Sequence, residues 1–401
     1  MPASLAAKPG VTLPMHKVLF LSYDLKDGGS PQVLSNILNH LNRHEFDPVL
    51  VTYSDARVFP IPERITEHIL YVEGGGSLLH KLKANLTAVF RLRRVLRQEK
   101  PEVAVGMGGM TNWGLILAAK LAGSKASVII GEHGTGALKY REDRMTSPIM
   151  SLLNRFLYPL ADRIVAISNG VREYLVKELK LPEHKIVSIH NPVDVQKIQR
   201  LSQEHVDDDW LRDKDKPVVL WVGRIAAIKG LKYLICAFES VLKQVDARLI
   251  IVGEGAERDA IENRVIQKGL KEKVRFAGFQ SNPYRYMSRS SVFAFPSLSE
   301  GFGMVLVEAM ACGLPVVSTD CVAGPAEVLE NGNCGILVPV GDAEALAKGI
   351  VRVLTNPQLR EQLVTAGTRR VADFEAAQVV ASYELLFREV CSSNICAREL
   401  K

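Results

Sequence analysis

Along the 401 residues of the chain, apolar positions gather into short runs separated by helical stretches. β-rich runs fall at Lys17–Ser22, Pro48–Thr52, Val103–Val105, Ser127–Ile130, Arg163–Ile167 and Ile186–Ile189. Helical stretches such as Gln32–Leu41 and Asn112–Leu121 lie between most of them. Strands bounded by turn residues and separated by helices predict a parallel sheet covered on both faces. A linker follows, with an acidic run at Asp207-Asp208-Asp209 that reads as a solvated face. The pattern then restarts, with strands at Pro217–Val222, Ala247–Val252, Val274–Ala277, Val292–Phe295 and Pro315–Ser318. Helices fall between them at Leu231–Val245, Glu257–Lys268 and Val305–Met310. The expectation is an α/β chain of two doubly wound domains, residues 1–195 and 196–375, with a last helical segment at Ala376–Val390.

Composition agrees with two domains, because a single core stops growing near ~250–300 residues. A charged fraction of 23% and 30 glycines exclude disordered and collagen-like architectures. Apolar runs all stop short of the ~20 residues that span a bilayer. Residues 1–14 lack the continuous apolar stretch of a secretion signal. The six cysteines form no CxxC pair and are absent from the first half, which suits reduced thiols in a cytoplasmic chain. Net charge is +6, and all of the excess lies in residues 1–195, where 24 basic residues face 18 acidic ones. Aromatic residues make up only 6% and do not interleave with a basic run, which argues against nucleic-acid binding.

Ligands of open parallel sheets bind at the carboxyl ends of the strands, so the residues that follow strands carry the chemistry. After the first strand comes Asp27-Gly28-Gly29-Ser30-Pro31, a turn whose backbone N–H groups can approach a phosphate. Gly106-Met107-Gly108-Gly109 reads as a plain tight turn. His133 ends the strand that closes on Gly131-Glu132 and can orient a substrate hydroxyl. In the second half, Gly223-Arg224 and Lys229-Gly230 put a guanidinium and an ammonium near a strand end and a helix start. That pair forms an anion site suited to a diphosphate. Glu300 and Glu308 stand eight positions apart, the first on a loop and the second in an apolar helix. A carboxylate facing inward there needs hydrogen-bond partners, and a ribose diol would supply them. Phe302, Gly303 and Met304 offer backbone N–H groups at the helix start to sugar or phosphate oxygens.

From Val18 to about Phe387 the chain resembles the retaining, family 4 glycosyltransferases of the GT-B fold. The matching residues are Gly28-Gly29, His133, Asn191-Pro192-Val193-Asp194, Gly223-Arg224 with Lys229-Gly230, and the Glu300/Glu308 motif. That resemblance implies two Rossmann-like domains facing across a cleft, the first binding the acceptor and the second the nucleotide-sugar donor. It implies too that the C-terminal helix, about 376–401, crosses back to the first domain. By the same resemblance Arg224 and Lys229 bind the donor diphosphate and Glu308 the ribose. Glu300 holds the donor sugar at the reacting centre, assisted by Phe302 and Gly303. Gly28 and Gly29 lie against phosphate and acceptor, and His133 contacts the sugar. No metal is expected. The form Gly324-Pro325-x-Glu327 is similar to that of enzymes using UDP-hexoses or UDP-N-acetylhexosamines in bacterial glycan assembly. The expected reaction moves such a sugar to a glycan or lipid-linked saccharide in cell-surface polysaccharide or lipopolysaccharide biosynthesis.

Two other readings compete. A sugar-nucleotide epimerase would need a cluster of strand-end acids and histidines around the sugar, and the chain shows none. A non-catalytic glycan- or nucleotide-binding partner would not need Glu300 or Lys229. Finally, the charge excess is densest in Lys81–Arg97, where basic residues alternate with Leu86, Val89, Phe90 and Leu92. That is either a helix packed on the sheet with a solvated basic side or one that lies peripherally on anionic lipid.

Overall fold

In a computed structural model the described residues are 15–26, 28–71, 78–134, 146–213 and 215–399, with side chains at 78–85, 146–149 and 394–399 set aside. The expectations for residues 1–14, for Asp27, and for the side chains of Lys81 and Lys83 lie outside that set. Thirteen strands are described, in two sheets. The first contains β1 (His16–Ser22), β2 (Phe46–Thr52), β3 (Thr66–Ile69), β4 (Val103–Gly106), β5 (Ser127–Glu132), β6 (Arg163–Ala166) and β7 (Ile186–Ser188). The second contains β8 (Val218–Val222), β9 (Arg248–Val252), β10 (Val274–Gly278), β11 (Val292–Phe295), β12 (Val316–Thr319) and β13 (Ile336–Val338). Their orders are β3-β2-β1-β4-β5-β6-β7 and β10-β9-β8-β11-β12-β13. Both therefore reverse direction between their first and fourth strands, as doubly wound Rossmann-like sheets do. The described pairings are parallel, for example Val18↔Val103 and Val219↔Leu249.

Contacts divide the described residues into two compact units. One takes those of Met1–Gly131, Leu160–Arg163 and Tyr383–Lys401, the other those of Glu132–Pro159 and Ile164–Ser382. In the first unit, the apolar core of β1 and β2 receives the C-terminal helix Ala376–Glu399. Phe387 is fully buried and meets Phe20 and Phe46 edge-on, at 6.1 and 5.8 Å between ring centres. Arg388 clasps Glu45 with two hydrogen bonds of 2.6 and 2.7 Å, which holds that carboxyl below its usual range. In the second unit, the helix Leu231–Leu242 buries Leu231, Leu234, Ile235, Phe238 and Val241. Spacing of three and four residues puts these on one face, packed against the sheet beside Leu346, Ile350 and Val353 of the helix Ala343–Thr355.

One expectation needs correction, and one gains detail. The Asp207–Asp209 run is not simply solvated: Asp208 is buried, caps Trp210 N at 3.0 Å and meets Arg275 at 2.6 Å. The Arg275 guanidinium stacks 4.1 Å from the Trp210 ring centre, so desolvation of the carboxylate is offset by a charged partner. The basic segment forms part of the helix Leu78–Glu99, but Leu86 and Phe90 do not share its buried face. Ala88, Val89, Leu92, Val95 and Leu96 fill that face instead.

Candidate functional site

In the second unit, glycines bring the strand-end loops together. At Gly253, φ is 136° and a Cβ would overlap the Gly223 carbonyl oxygen, so the loops after β8 and β9 touch through backbone. Hydrogen bonds from Gly223 N to Val252 O (3.0 Å) and Ile225 N to Glu254 O (2.8 Å) fix the register. Arg224 stands exposed at this β8 end. Six residues on, Gly230 adopts φ 68° and ends the turn Ala227–Lys229 so close to the Pro296 carbonyl that a Cβ has no room. Lys229 is thereby pressed against the segment that follows β11.

There Lys229 Nζ donates to Glu300 Oε1 at 2.6 Å. The Ser297 hydroxyl donates to the same oxygen at 2.6 Å. The lysine and glutamate side chains are only 23% and 11% exposed, so their attraction is less screened than a surface pair's. The buried Cys321, just past the end of β12, adjoins this pair. Burial first, then the Glu300 charge, push its thiol up to about 12, while Lys229 and the Glu300 backbone N–H oppose the shift. The thiol therefore stays neutral beside the ion pair.

Gly303 caps the helix Met304–Ala311 in a left-handed conformation, φ 89°, with no side chain bonding to the first turn. The positive end of the helix thus adjoins the Glu300 loop. Glu308 is 7% exposed within that otherwise apolar helix, on the buried side the sequence indicates. His133 meets the loop through backbone: Gly301 lies so close that a Cβ would overlap the His133 carbonyl oxygen. The His133 ring is neutral near pH 7, because burial lowers its pKa to about 4, and its Nε2 has no partner among the described residues. It can offer a hydrogen bond but not a charge.

Gly28 and Gly29 belong to the first unit, where Gly28 (φ 96°) caps the helix Gly29–His40. Gly108 N and Asn112 Oδ1 share a 3.0 Å bond in the second glycine turn, in keeping with its plain reading. Strand-end reasoning therefore finds Lys229, Glu300 and the His133 backbone in one place. It misses Ser297 and Cys321, although both follow strands and were open to the same rule. Among the described residues, no metal-spaced group includes Glu300 or Glu308; His16, Glu102 and Cys391, far along the chain, approach such spacing but already bond internally.

Residues 27–197 match the family model described as Glycosyltransferase Family 4, and residues 202–370 the one described as Glycosyl transferases group 1. A Campylobacter jejuni protein, N-acetylgalactosamine-N,N'-diacetylbacillosaminyl-diphospho-undecaprenol 4-alpha-N-acetylgalactosaminyltransferase, is 29% identical over 91% of this chain and 97% of its own length. N-acetyl-alpha-D-glucosaminyl L-malate synthase of Bacillus anthracis is 26% identical over 68% of this chain and 71% of its own. Among solved structures, Anabaena HepE in complex with UDP and glucose aligns with a TM-score of 0.75 at 19% identity, over 93% of this chain and 99% of that one. Sucrose-phosphate synthase of Thermosynechococcus elongatus aligns at 0.80 and 22%, over 94% of this chain and all of its own. With two doubly wound sheets and both family models matched in order, the chain belongs to the family 4 glycosyltransferases of GT-B type.

Proposed function

We propose that the protein transfers a hexose or N-acetylhexosamine from a UDP-sugar, with retention of configuration, to a lipid-linked or glycan acceptor at the cytoplasmic face of a membrane. The observation that carries this reading is the Lys229–Glu300 contact of 2.6 Å at adjoining strand ends, beside the glycine-capped helix of Glu308. Without donor, the two charges neutralise one another. A diphosphate arriving at Arg224 and the helix start would take over Lys229 and release the Glu300 carboxylate toward the sugar. Glu308, buried and inward, suits the ribose hydroxyls. As the bond between sugar and diphosphate breaks, charge grows on the leaving oxygens, where Lys229, Arg224 and the helix end stabilise it. The acceptor hydroxyl attacks from the same face and a diphosphate oxygen takes its proton, so the step calls for no metal. His133 hydrogen-bonds a sugar hydroxyl. The Campylobacter and Bacillus relatives, named for N-acetylhexosaminyl products, support that donor class.

The test is turnover of UDP-N-acetylgalactosamine, and of a panel of other nucleotide sugars, on undecaprenyl-diphosphate-linked saccharides. Lys229→Ala and Glu300→Ala should each lose ~10²–10³ in rate, the usual cost of deleting one such stabilising group. Wild-type rates in both, or an epimerised nucleotide sugar formed from donor alone, would overturn the reading. The anomeric configuration of the product, read by NMR, decides retention.

A further inference from the structure

The Gly324-Pro325-x-Glu327 motif and His190 take no part in the chemistry above, yet they meet within the second unit. Glu327 Oε1 accepts from His190 Nε2 at 2.6 Å and from Asn169 Nδ2 at 3.0 Å. Its Oε2 accepts from the Asn169 backbone N at 2.7 Å. The Glu327 carbonyl in turn accepts from Arg370 Nη2 at 2.8 Å. Asn169 and His190 stand just past the carboxyl ends of β6 and β7, so one carboxylate fastens two strand ends. Its side chain is only 15% exposed, and His190 is 30% exposed.

From there the contacts run to the sugar loop. The His190 ring packs 5.5 Å from that of Phe302 and 5.4 Å from that of Phe374, and these two lie edge-on to each other at 5.4 Å. Phe302 is 1% exposed, two residues from Glu300. Gly324, which caps the short helix Pro325–Val328 that carries Glu327, has φ 93° and approaches so closely that a Cβ would overlap the Phe302 carbonyl oxygen. On the preceding residue, Ser168 Oγ donates to the Gly301 carbonyl at 2.7 Å. Residues 301 and 302 are therefore gripped by the strand ends and by the Gly324 loop, and Glu327 ties those holders together.

We infer that Glu327 and His190 are positioning residues, a latch that fixes the Glu300–Gly303 loop in its productive place. The inference rests on the reading of that loop as the donor-sugar site. Glu327 touches neither Lys229 nor Glu300 and acts through His190, Phe302 and the Gly324 backbone. A carboxylate with three donors defines a single loop position, and misplacing a reacting group by about 1 Å costs up to ~10²-fold in rate.

The experiment compares Glu327→Ala, Glu327→Gln and His190→Ala with wild type, using UDP-N-acetylgalactosamine. It reads kcat and KM by UDP release, UDP affinity by calorimetry, and melting temperature. Both alanine variants should lose ~10–100-fold in kcat. UDP affinity should fall far less than kcat, since the side chains of Arg224, Lys229 and Glu308 are unchanged. Glu327→Gln should recover part of the loss: its amide oxygen can still accept from the Asn169 backbone N–H, although its NH₂ faces the Asn169 side-chain amide. A folded alanine variant with wild-type kcat overturns the latch, as does Glu327→Gln impaired as deeply as Glu327→Ala. If Glu327→Ala does not fold, His190→Ala decides, because it removes only the ring. Lys229→Ala, assayed alongside, separates the two ideas. Full turnover there overturns the reading of the loop itself; lost turnover there with intact Glu327→Ala and His190→Ala overturns the latch alone.

Discussion

Glycines at Gly324 and Gly28 look alike in sequence, each opening a helix after a strand, but their surroundings set them apart. Both hold positive φ, 93° and 96°, where an L side chain is strained. Around Gly28 nothing among the described residues lies within 4 Å of a Cβ, whereas at Gly324 the Phe302 carbonyl occupies its place. Gly28→Ala should therefore cost about 1–2 kcal/mol of stability, the backbone strain alone. Gly324→Ala adds a backbone collision, and should lower both melting temperature and turnover further. Equal melting temperatures for the two variants would refute this distinction. Placement was legible where it followed strands: Lys229 and Glu300 lie on strand-end loops and Glu308 in the helix behind, as the sequence indicates. The His190–Glu327 contact was not, because its partners are 137 positions apart and each alone resembles an ordinary surface group.

Among the elements, the apolar runs were readable, the edge strands β7 and β10 included, but two of the four edge strands were not. β3, Thr66-Glu67-His68-Ile69, has only one apolar residue, and β13 has only three residues, so neither shows a usable period. Both are edge strands, held by a single neighbour. The C-terminal helix shows the opposite case: its apolar residues were visible, but their partner could be named only by resemblance. Phe387→Ala should destabilise the protein by about 3–5 kcal/mol, the range for emptying a buried aromatic site. Arg388→Ala should cost far less, on the order of 1 kcal/mol, because the pair with Glu45 is 39% and 29% exposed. Denaturant midpoints of the two variants check the order, which would be reversed if the ion pair dominated.

For the whole molecule, the repeated sheet order explains why a two-domain reading was available without a fold in hand: one strand–helix alternation occurs twice. The charge excess of the first half is partly local. Arg93 and Arg97 donate to Leu121 O (3.0 Å) and Ala122 O (3.2 Å), the final carbonyls of the helix Met110–Ala122, and Arg91 bonds the Leu70 and Tyr71 carbonyls. Cations there offset the negative helix end and would be poor reporters of lipid binding. Leu86, Phe90 and Arg94, spaced four apart, form an exposed stripe with 59% and 56% exposure at the two apolar residues. Charge reversal at Arg94 with Phe90→Ser should release the protein from anionic vesicles and leave its melting temperature near wild type. No vesicle binding by the wild type would reduce the charge to ordinary surface. Among the described residues no helix is long and apolar enough to cross a membrane.

The return of Phe387 to the first unit bears on the order of biosynthesis. A ribosome makes β1 and β2 early, and domains ordinarily fold as they emerge. Here the aromatic side chain that sits against Phe20 and Phe46 is translated more than 330 residues after them. The nascent first unit must wait, with that apolar site open to water and to chaperones, until the entire second unit has left the exit tunnel. The part of the protein that is made first is thus completed last.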